Sequence, residues 1–190
     1  PDIDVSLEIL NRDGVVSRML DNLDDIYIMS QPPKDIDLDD DIFMDNQLVA
    51  IAALNSPLAK QKSIPLSTLK DDRFILREKG SGTRMTSDKF FKQFKFHPNI
   101  RMELGSNEAI KEAVAGGLGI GVVSKYALHG RQKEHGVSMI DIKGFPISSH
   151  WHVVNPSKKQ LSPIAHAFKA ELFSSAVKFV STNRSAGSSI

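Results

Sequence analysis

Short apolar strand patterns alternate with helical patterns along most of this chain, and that alternation restricts the fold more than any other feature of the sequence. The patterns predict strands at 5–9, 26–29, 47–53, 74–76, 100–104, 120–123, 137–142 and 149–154. They predict helices at 15–22, around the phenylalanines of 90–94, at 106–115 and from 162 onwards, with a fraying tail at 181–190. Alternating strands and helices predict an α/β fold, and the first strand–helix–strand unit predicts the start of a parallel sheet.

Helix capping residues stand where these helices are predicted to begin. Asp13, Ser106 and Ser162 carry side-chain oxygens that can accept hydrogen bonds from first-turn N–H groups. The acidic segment 35–41, which follows the second predicted strand, contains no such pattern and is predicted to be a solvated loop.

Composition excludes several classes of protein. The chain has no cysteine, which removes disulfides, thiol catalysis and thiolate metal sites and fits a reducing cytoplasm. Its 24 basic and 23 acidic residues give a net charge of +1, without the Lys and Arg clusters that neutralise a nucleic-acid backbone. No apolar run approaches the roughly 18 residues of a membrane span, and the N-terminus lacks a signal peptide. We expect a cytoplasmic protein in which any contact with DNA is made by another segment.

The loop at 77–84 is the most informative candidate site. It leaves a buried strand and opens a helix, and it contains Ser81, Gly82, Thr83 and Arg84. Backbone N–H groups at a helix start attract anions, and an arginine can grip a carboxylate or phosphate at two points. The alternative is a glycine-rich turn with an ordinary Ser or Thr cap. A Walker A loop is excluded, because no Lys-Ser/Thr pair follows at the required spacing.

Two further loops follow strands and could face the same crevice. Gly105, Ser106 and Asn107 join a strand end to a helix start, and Ser30 and Gln31 follow the strand at 26–29. Ligands of open α/β sheets bind outside the carboxyl ends of strands, which favours a shared site. A simple N-cap by Ser106 explains the second loop equally well, with or without a ligand.

Other motifs lack the pattern that their chemistry requires. The glycines of 117–121 precede a strand and lack the G-x-G-x-x-G spacing, so they predict a tight turn. A calcium loop starting at Asp35 would need glycine at its sixth position and glutamate at its twelfth, where this sequence has Asp40 and Asn46. His150 and His152 share one face of a strand, but two histidines do not fill a metal site. No serine stands in a nucleophile-elbow pattern, so the sequence gives no support for hydrolysis. Because none of these motifs is complete, the sequence predicts no catalytic residue, no metal and no cofactor.

Several strings together resemble the LysR-type transcriptional regulators over about residues 1–180. The strings are PDIDVSL at 1–7, FMDNQLVAI at 43–51, SPLA at 56–59, ILREKGSGTR at 75–84, ELGSNEAIK at 103–111 and AGGLGIG at 115–121. DNLDDIYI at 21–28 and QPP at 31–33 are similar to cyanobacterial members that regulate carbon dioxide fixation and inorganic-carbon uptake.

The resemblance implies two Rossmann-like lobes joined by two crossover strands, as in type II periplasmic binding proteins. Lobe I would comprise 1–48 and 149–190, and lobe II would comprise 49–148. A winged helix-turn-helix that binds DNA, a linker helix, and the first strand and helix of lobe I would precede Pro1. The turn between that strand and helix normally supplies Ser and Thr contacts to the effector. The resemblance also implies that the protein forms homodimers or homotetramers and that it does not associate with a membrane.

The resemblance also implies an anionic effector such as 2-phosphoglycolate, 2-oxoglutarate or ribulose bisphosphate, and no enzymatic activity. Arg84 would neutralise the anion, while Ser81, Thr83, Ser106 and Asn107 would hydrogen-bond it. The effector would shift the populations of lobe arrangements, and a coupling of about 1–3 kcal/mol would suffice for regulation. The alternatives are a solute-binding protein of a transport system, which shares this fold, and a small hydrolase or transferase.

Overall fold

The computed structural model describes residues 3–186, with side chains for 3–179. Within that range the helices are α1 Arg12–Leu20, α2 Gly82–Gln93, α3 Asn107–Ala115 and α4 Pro163–Ala186. The strands are β1 Tyr27–Met29, β2 Leu38–Asp45, β3 Leu48–Ala53, β4 Arg73–Arg77, β5 Asn99–Leu104, β6 Ile120–Ser124, β7 Val137–Met139 and β8 His150–Pro156. The α/β class is therefore confirmed.

Five strands form a mixed sheet in the order β5-β4-β6-β3-β7. β4 runs parallel to β5 and β6, and β3 runs antiparallel to β6 and β7. Neighbouring residues of β4 point to opposite faces. Phe74 and Leu76 pack with Phe90 of α2, whereas Ile75 packs with Ile110 of α3. Both faces are covered, which explains why the interiors of β3, β4 and β6 are runs without charged side chains.

The other sheet has three antiparallel strands in the order β1-β8-β2, and α1 packs on it through Met19 and Tyr27. The prediction of a parallel sheet at the start of the chain is wrong, because β1 pairs antiparallel with β8. The strand predicted at 5–9 is also absent, and its apolar side chains at positions 5, 7 and 9 are 67%, 75% and 84% exposed. An alternating pattern becomes a strand only where a neighbouring strand pairs with it, and none of residues 3–186 pairs with this segment.

The prediction of a solvated loop at 35–41 is wrong from residue 38 onwards, where β2 begins. Asp40 Oδ1 lies 2.6 Å from His152 Nδ1, and Asp41 Oδ2 lies 2.8 Å from Lys169 Nζ. The carboxylates of this strand are paired with groups on β8 and α4. Lys169 offsets part of the charge of the acidic run, and pairing with β8 makes it a strand.

The helix ends differ from the sequence prediction at two places. The side chain of Asn11, and not that of Asp13, caps α1 by accepting a 3.0 Å hydrogen bond from the first turn. The Ser162 cap of α4 is confirmed, but α4 continues into the tail predicted to fray at 181–190, of which 187–190 lie outside the described residues. Among residues 3–186, no helix combines the length and hydropathy that crossing a bilayer requires.

The glycine-rich turn after α3 has the structural role that its spacing predicts. Gly117 adopts a φ of +76°, which ends the helix. The ordinary position of a Cβ on Gly119 would overlap the carbonyl oxygen of Arg73, and one on Gly121 would lie 2.7 Å from Cγ2 of Ile110. These glycines allow β6 to enter the sheet beneath α3.

An ion pair fixes the end of α1 next to β1. Arg18 Nε donates to Asp24 Oδ2 at 2.8 Å, and Nη2 donates to Oδ1 at 2.6 Å. The Tyr27 hydroxyl accepts a hydrogen bond from Asp24 N and donates one to Arg18 O. The hydrogen bond from Arg18 is the main cause of the lowered pKa of Asp24, which lies below its ordinary value of 3.8, although burial opposes it.

Acidification should weaken this contact. A carboxyl group whose pKa is lowered in the folded state stabilises the fold above its ordinary pKa, and the stabilisation is lost as the pH falls through the lowered value. We therefore expect Asp24→Asn to lose less free energy of unfolding than wild type between about pH 5 and pH 3, measured by urea denaturation. Asp25→Asn is the control, because Asp25 is 71% exposed. Equal losses in wild type and Asp24→Asn would contradict the prediction.

Candidate functional site

The predicted loops at 77–84 and 105–107 lie side by side. β4 and β5 are parallel neighbours in which Arg77 pairs with Leu104, and Glu78 N donates a 3.1 Å hydrogen bond to Leu104 O. Because the two strands run in the same direction, both loops leave the sheet at the same edge. Helices α2 and α3 therefore begin next to each other at this edge.

Helix α2 begins without a side-chain cap. Ser81 has the backbone conformation of an N-cap and is 2% exposed, but its hydroxyl accepts no hydrogen bond from the first turn. The other three described helices are capped by Asn11, Ser106 and Ser162. The amides of 82–84 have no acceptor in their own helix, and none of the described residues supplies one. The start of α2 thus presents a hydroxyl, N–H groups and the positive end of a helix dipole, which together favour an anion.

Ser30 and Gln31 lie against the start of α2. A Cβ on Gly82 would overlap Ser30 Oγ and lie 2.8 Å from Ser30 O, so the backbone at Gly82 touches Ser30 directly. Gln31 Nε2 donates a 3.2 Å hydrogen bond to Thr86 Oγ1, and Gln31 O accepts one of 2.7 Å from Arg12 Nε. Since Ser30 and Gln31 follow β1, the site lies where the two sheets meet.

Arg84 is 7% exposed and is held by acceptors of the protein. Its Nε donates to both carboxylate oxygens of Asp88 at 3.0 and 2.9 Å, and its Nη1 donates to Glu103 Oε1 at 2.8 Å and to Arg77 O at 2.9 Å. Burial is the largest influence on the pKa of Arg84 and lowers it, but the hydrogen bonds and charges of Glu103 and Asp88 together raise it above the ordinary value.

The neighbours of Arg84 limit what it can do for a ligand. Asp88 and Glu103 more than neutralise its charge, and Nη2 remains without a hydrogen bond to any described residue. The guanidinium therefore ties the start of α2 to β4 and β5. Its direct contact with an anion stays a prediction.

In the second loop, the side chain of Ser106 is engaged in a hydrogen bond, whereas Gly105 lies beside open space and the Asn107 side-chain oxygen has no such partner within the described chain. Ser106 Oγ accepts a 3.1 Å hydrogen bond from Ala109 N, so the simple capping role is confirmed. A Cβ on Gly105 would meet nothing within 4 Å, which leaves open space beside that backbone. Asn107 Oδ1 is buried and has no hydrogen-bond partner among the described residues.

Sequence reasoning missed the contribution of α1 to this site. Asn11 Nδ2 donates a 3.3 Å hydrogen bond to Glu78 Oε1, and Asp13 N donates one of 3.2 Å to Gly80 O. Burial raises the pKa of Glu78, but the hydrogen bond from Arg77 and weaker contributions outweigh it, so that the pKa is lowered. The available sequence signal was their position just after the strand pattern at 5–9, although that pattern does not form a strand in the structure.

The two histidines of the sequence analysis lie elsewhere, on β8. His152 Nδ1 is 2.6 Å from Asp40 Oδ1, and His150 Nε2 is 3.7 Å from Asp45 Oδ1. Among the side chains described, those of residues 3–179, no group of three or more His, Asp or Glu is arranged to hold a metal ion.

The fold and the site define a small-molecule-binding domain in which a helix start suited to an anion lies between two sheets. Residues 1–176 match the family model described as the LysR substrate binding domain, and the chain belongs to this family. The resemblance noted in the sequence is therefore confirmed.

Two relatives carry informative names. The chain is 42% identical over 173 residues to the HTH-type transcriptional activator CmpR of Synechocystis, covering 91% of this chain and 57% of the relative. It is 43% identical to the RuBisCO operon transcriptional regulator of Acidithiobacillus ferrooxidans, covering 91% and 56%. The chain thus spans a little more than half the length of these relatives. Both relatives are regulators of transcription and not enzymes, which is the class that the sequence predicts. Their names favour a regulator over the alternative of a solute-binding protein for transport.

Solved structures agree with this assignment. The regulatory domain of CcmR from Synechocystis, in complex with 2-PG, superimposes with a TM-score of 0.86 and 44% identity, covering 91% of this chain and 83% of that one. The effector-binding domain of QuiR in complex with shikimate superimposes with a TM-score of 0.78 at 22% identity, covering 88% and 79%, which shows the shared fold. The predicted likeness to LysR effector-binding domains of the periplasmic-binding-protein type II class is confirmed.

Proposed function

We propose that this domain binds 2-phosphoglycolate, or a closely similar small dianion, at the start of α2 and thereby controls a regulator of carbon-assimilation genes. One observation carries the proposal: the start of α2 offers an unused hydroxyl on Ser81 and unpaired amides at the junction of the two sheets. The likeness to the CcmR domain, whose structure contains 2-PG, supports this choice of ligand.

The residues at the start of α2 make the main contacts with the ligand. The phosphate is bound by the amides of Gly82 and Thr83 and by the Ser81 hydroxyl, because helix starts combine free N–H donors with a favourable dipole. Arg84 contributes its remaining Nη2 donors. The carboxylate lies on the side of Ser30.

The remaining candidates lie around this core. Gln31 holds the loop after β1 against α2 through its hydrogen bond to Thr86. Gly105 leaves room for the ligand, while Asn107 and Ser106 complete the site from the start of α3. Asn107 can donate through its side-chain Nδ2, and Ser106 can donate its hydroxyl proton, because the cap uses only the hydroxyl oxygen as an acceptor.

The two sheets form the basis of two proposed lobes. Lobe I comprises 1–48 and 149–190, and lobe II comprises 49–148. Two observations support this division: the chain passes between the sheets from β2 to β3, and it returns between β7 and β8. A bridge between Leu48 and Ile147 lies at the two crossing points.

A ligand at the junction would favour one arrangement of the lobes, and about 1–3 kcal/mol of coupling is enough to change the affinity of a distant site 5- to 150-fold. In the whole regulator that distant site is a DNA-binding domain outside this chain. The names of the relatives support this, since CmpR is an HTH-type activator. The proposed regulator is a cytoplasmic homodimer or homotetramer.

Replacing Ser81 with alanine should lower the affinity for 2-phosphoglycolate by about tenfold or more, because a hydrogen bond to a charged group is lost. The melting temperature without ligand should stay near that of wild type, because the Ser81 hydroxyl does not cap α2. Isothermal titration calorimetry with 2-phosphoglycolate measures the loss of affinity. Titration with glycolate, which lacks the phosphate, is the comparison for the phosphate contact.

The matched control is Ser162→Ala, which removes the cap of the remote helix α4. It should lower the free energy of unfolding by about 1 kcal/mol and leave the affinity unchanged. The proposal fails if 2-phosphoglycolate neither binds nor raises the melting temperature of wild type at millimolar concentration.

A further inference from the structure

A groove of about 600 Å³ lies at the end of α2 opposite the ligand site. Its floor and walls are largely carbon and include Phe91, Phe96, Pro98 and Ile100, of which Ile100 is 38% exposed. The groove follows the turn from α2 into β5, where the chain reverses.

The groove is lined by more basic than acidic side chains. Lys92 and Lys95 are exposed at its rim, and His97 lies beside them. The one acidic lining residue, Asp88, already accepts hydrogen bonds from Arg84 at 2.9 and 3.0 Å. Asp88 shares Arg84 with Glu103 and is 50% exposed, so it keeps part of its charge, but the two lysines of the groove still outnumber this one carboxylate.

An apolar slot with a positive rim is complementary to an acidic protein segment that carries an apolar side chain. Nucleic acid fits less well for two reasons. Phe91 and Phe96 are only 2% and 9% exposed, which leaves no ring face on which a base could stack. Two lysines also supply far fewer phosphate contacts than the roughly six to ten that give strong nucleic-acid binding.

We propose that this groove is a docking surface for an acidic, apolar-anchored segment of a partner protein. The apolar side chain of the segment enters between Phe96 and Ile100, and its carboxylates pair with Lys92 and Lys95. Arg84, in the first turn of α2, is joined to the groove through Asp88, which lies one turn further along the helix.

The probe for this surface is a fluorescein-labelled 12-residue peptide of Asp and Glu with two Phe residues four positions apart. Fluorescence anisotropy on the full chain should show saturable binding. Lys92→Glu and Lys95→Glu should each weaken it by about fivefold to tenfold, because attraction is replaced by repulsion. Lys62→Glu is the control, since it makes the same change of charge at an exposed position outside the groove.

Each outcome decides the proposal. A loss confined to the two groove variants supports it, provided that the same peptide with Ser in place of Phe binds more weakly. No saturable binding by wild type, or equal losses in Lys62→Glu, overturns it. Tighter binding of a 12-nucleotide thymidine oligomer overturns it in favour of nucleic acid. Self-association of wild type that Lys92→Glu abolishes, in sedimentation velocity, overturns it in favour of a second copy of the chain.

Discussion

Replacing Gly82 with alanine should lower the affinity for 2-phosphoglycolate by about a hundredfold, a larger loss than removing the Ser81 hydroxyl. A Cβ at this position would overlap Ser30 Oγ and lie 2.8 Å from the backbone oxygen of Ser30. The hydroxyl can rotate away, but the carbonyl belongs to the chain that leaves β1 and cannot. The start of α2 must therefore move away from Ser30.

This movement would affect every donor of the proposed site together. The amides at the start of α2 and the Ser81 hydroxyl would shift relative to Ser30, and misplacement of binding groups by about 1 Å is enough to cost two orders of magnitude. Calorimetric titration of 2-phosphoglycolate measures the loss. The hydrogen bond between Gln31 and Thr86 spans the same junction and should weaken as well.

Gly116→Ala is the matched control for Gly82→Ala. Its added Cβ would be 3.5 Å from the nearest atoms, which is ordinary contact, and it lies at the end of α3 away from the site. Its affinity for 2-phosphoglycolate should be that of wild type. An unchanged affinity in Gly82→Ala, with the protein folded, would mean that the ligand does not use the start of α2.

The sequence predicts the five-stranded sheet better than the three-stranded one, and burial explains why. β3, β4 and β6 are covered on both faces, so their apolar runs report the fold directly. The segments 5–9 and 35–41 were assigned wrongly, because strand formation depends on partners that a local pattern does not reveal. For 35–41 those partners are His152 and Lys169, more than a hundred positions away in the chain.

The candidate site shows the same division between local and distant information. The helix start at Ser81 and Gly82 is readable locally, since it combines a strand end, glycines and hydroxyls. The pairing of Arg84 with Glu103 cannot be predicted from the local sequence, because it depends on β4 and β5 becoming neighbours. The contact between Gly82 and Ser30 depends on how the two sheets meet, and no sequence pattern encodes it.

Replacing Gly119 with alanine should destabilise the fold strongly and hardly change the affinity for 2-phosphoglycolate. A Cβ on Gly119 would overlap the backbone oxygen of Arg73 and lie 3.0 Å from its carbonyl carbon. Both atoms belong to the start of β4, which is held between β5 and β6. β4 and β6 cannot move apart to relieve this overlap without breaking sheet hydrogen bonds. We therefore expect the free energy of unfolding to fall by about 2–3 kcal/mol.

Urea denaturation measures this loss, and Gly105→Ala is the control, because its added Cβ would meet nothing within 4 Å. Gly105→Ala should change the free energy of unfolding by less than about 0.5 kcal/mol. A loss of similar size in Gly105→Ala, where the added Cβ meets no atom, would mean that the overlap with Arg73 is not the cause of the loss in Gly119→Ala.

The position of the clash explains why binding should survive in folded Gly119→Ala. Arg73 and Arg77 are the two ends of β4, and at roughly 3.3 Å per residue the clash lies about 13 Å from the edge where α2 begins. Gly82→Ala should therefore lose affinity with a smaller loss of stability, and Gly119→Ala should lose stability with little loss of affinity. Equal effects of both variants on affinity would mean that the site responds to the whole sheet, and not to the contact between Gly82 and Ser30.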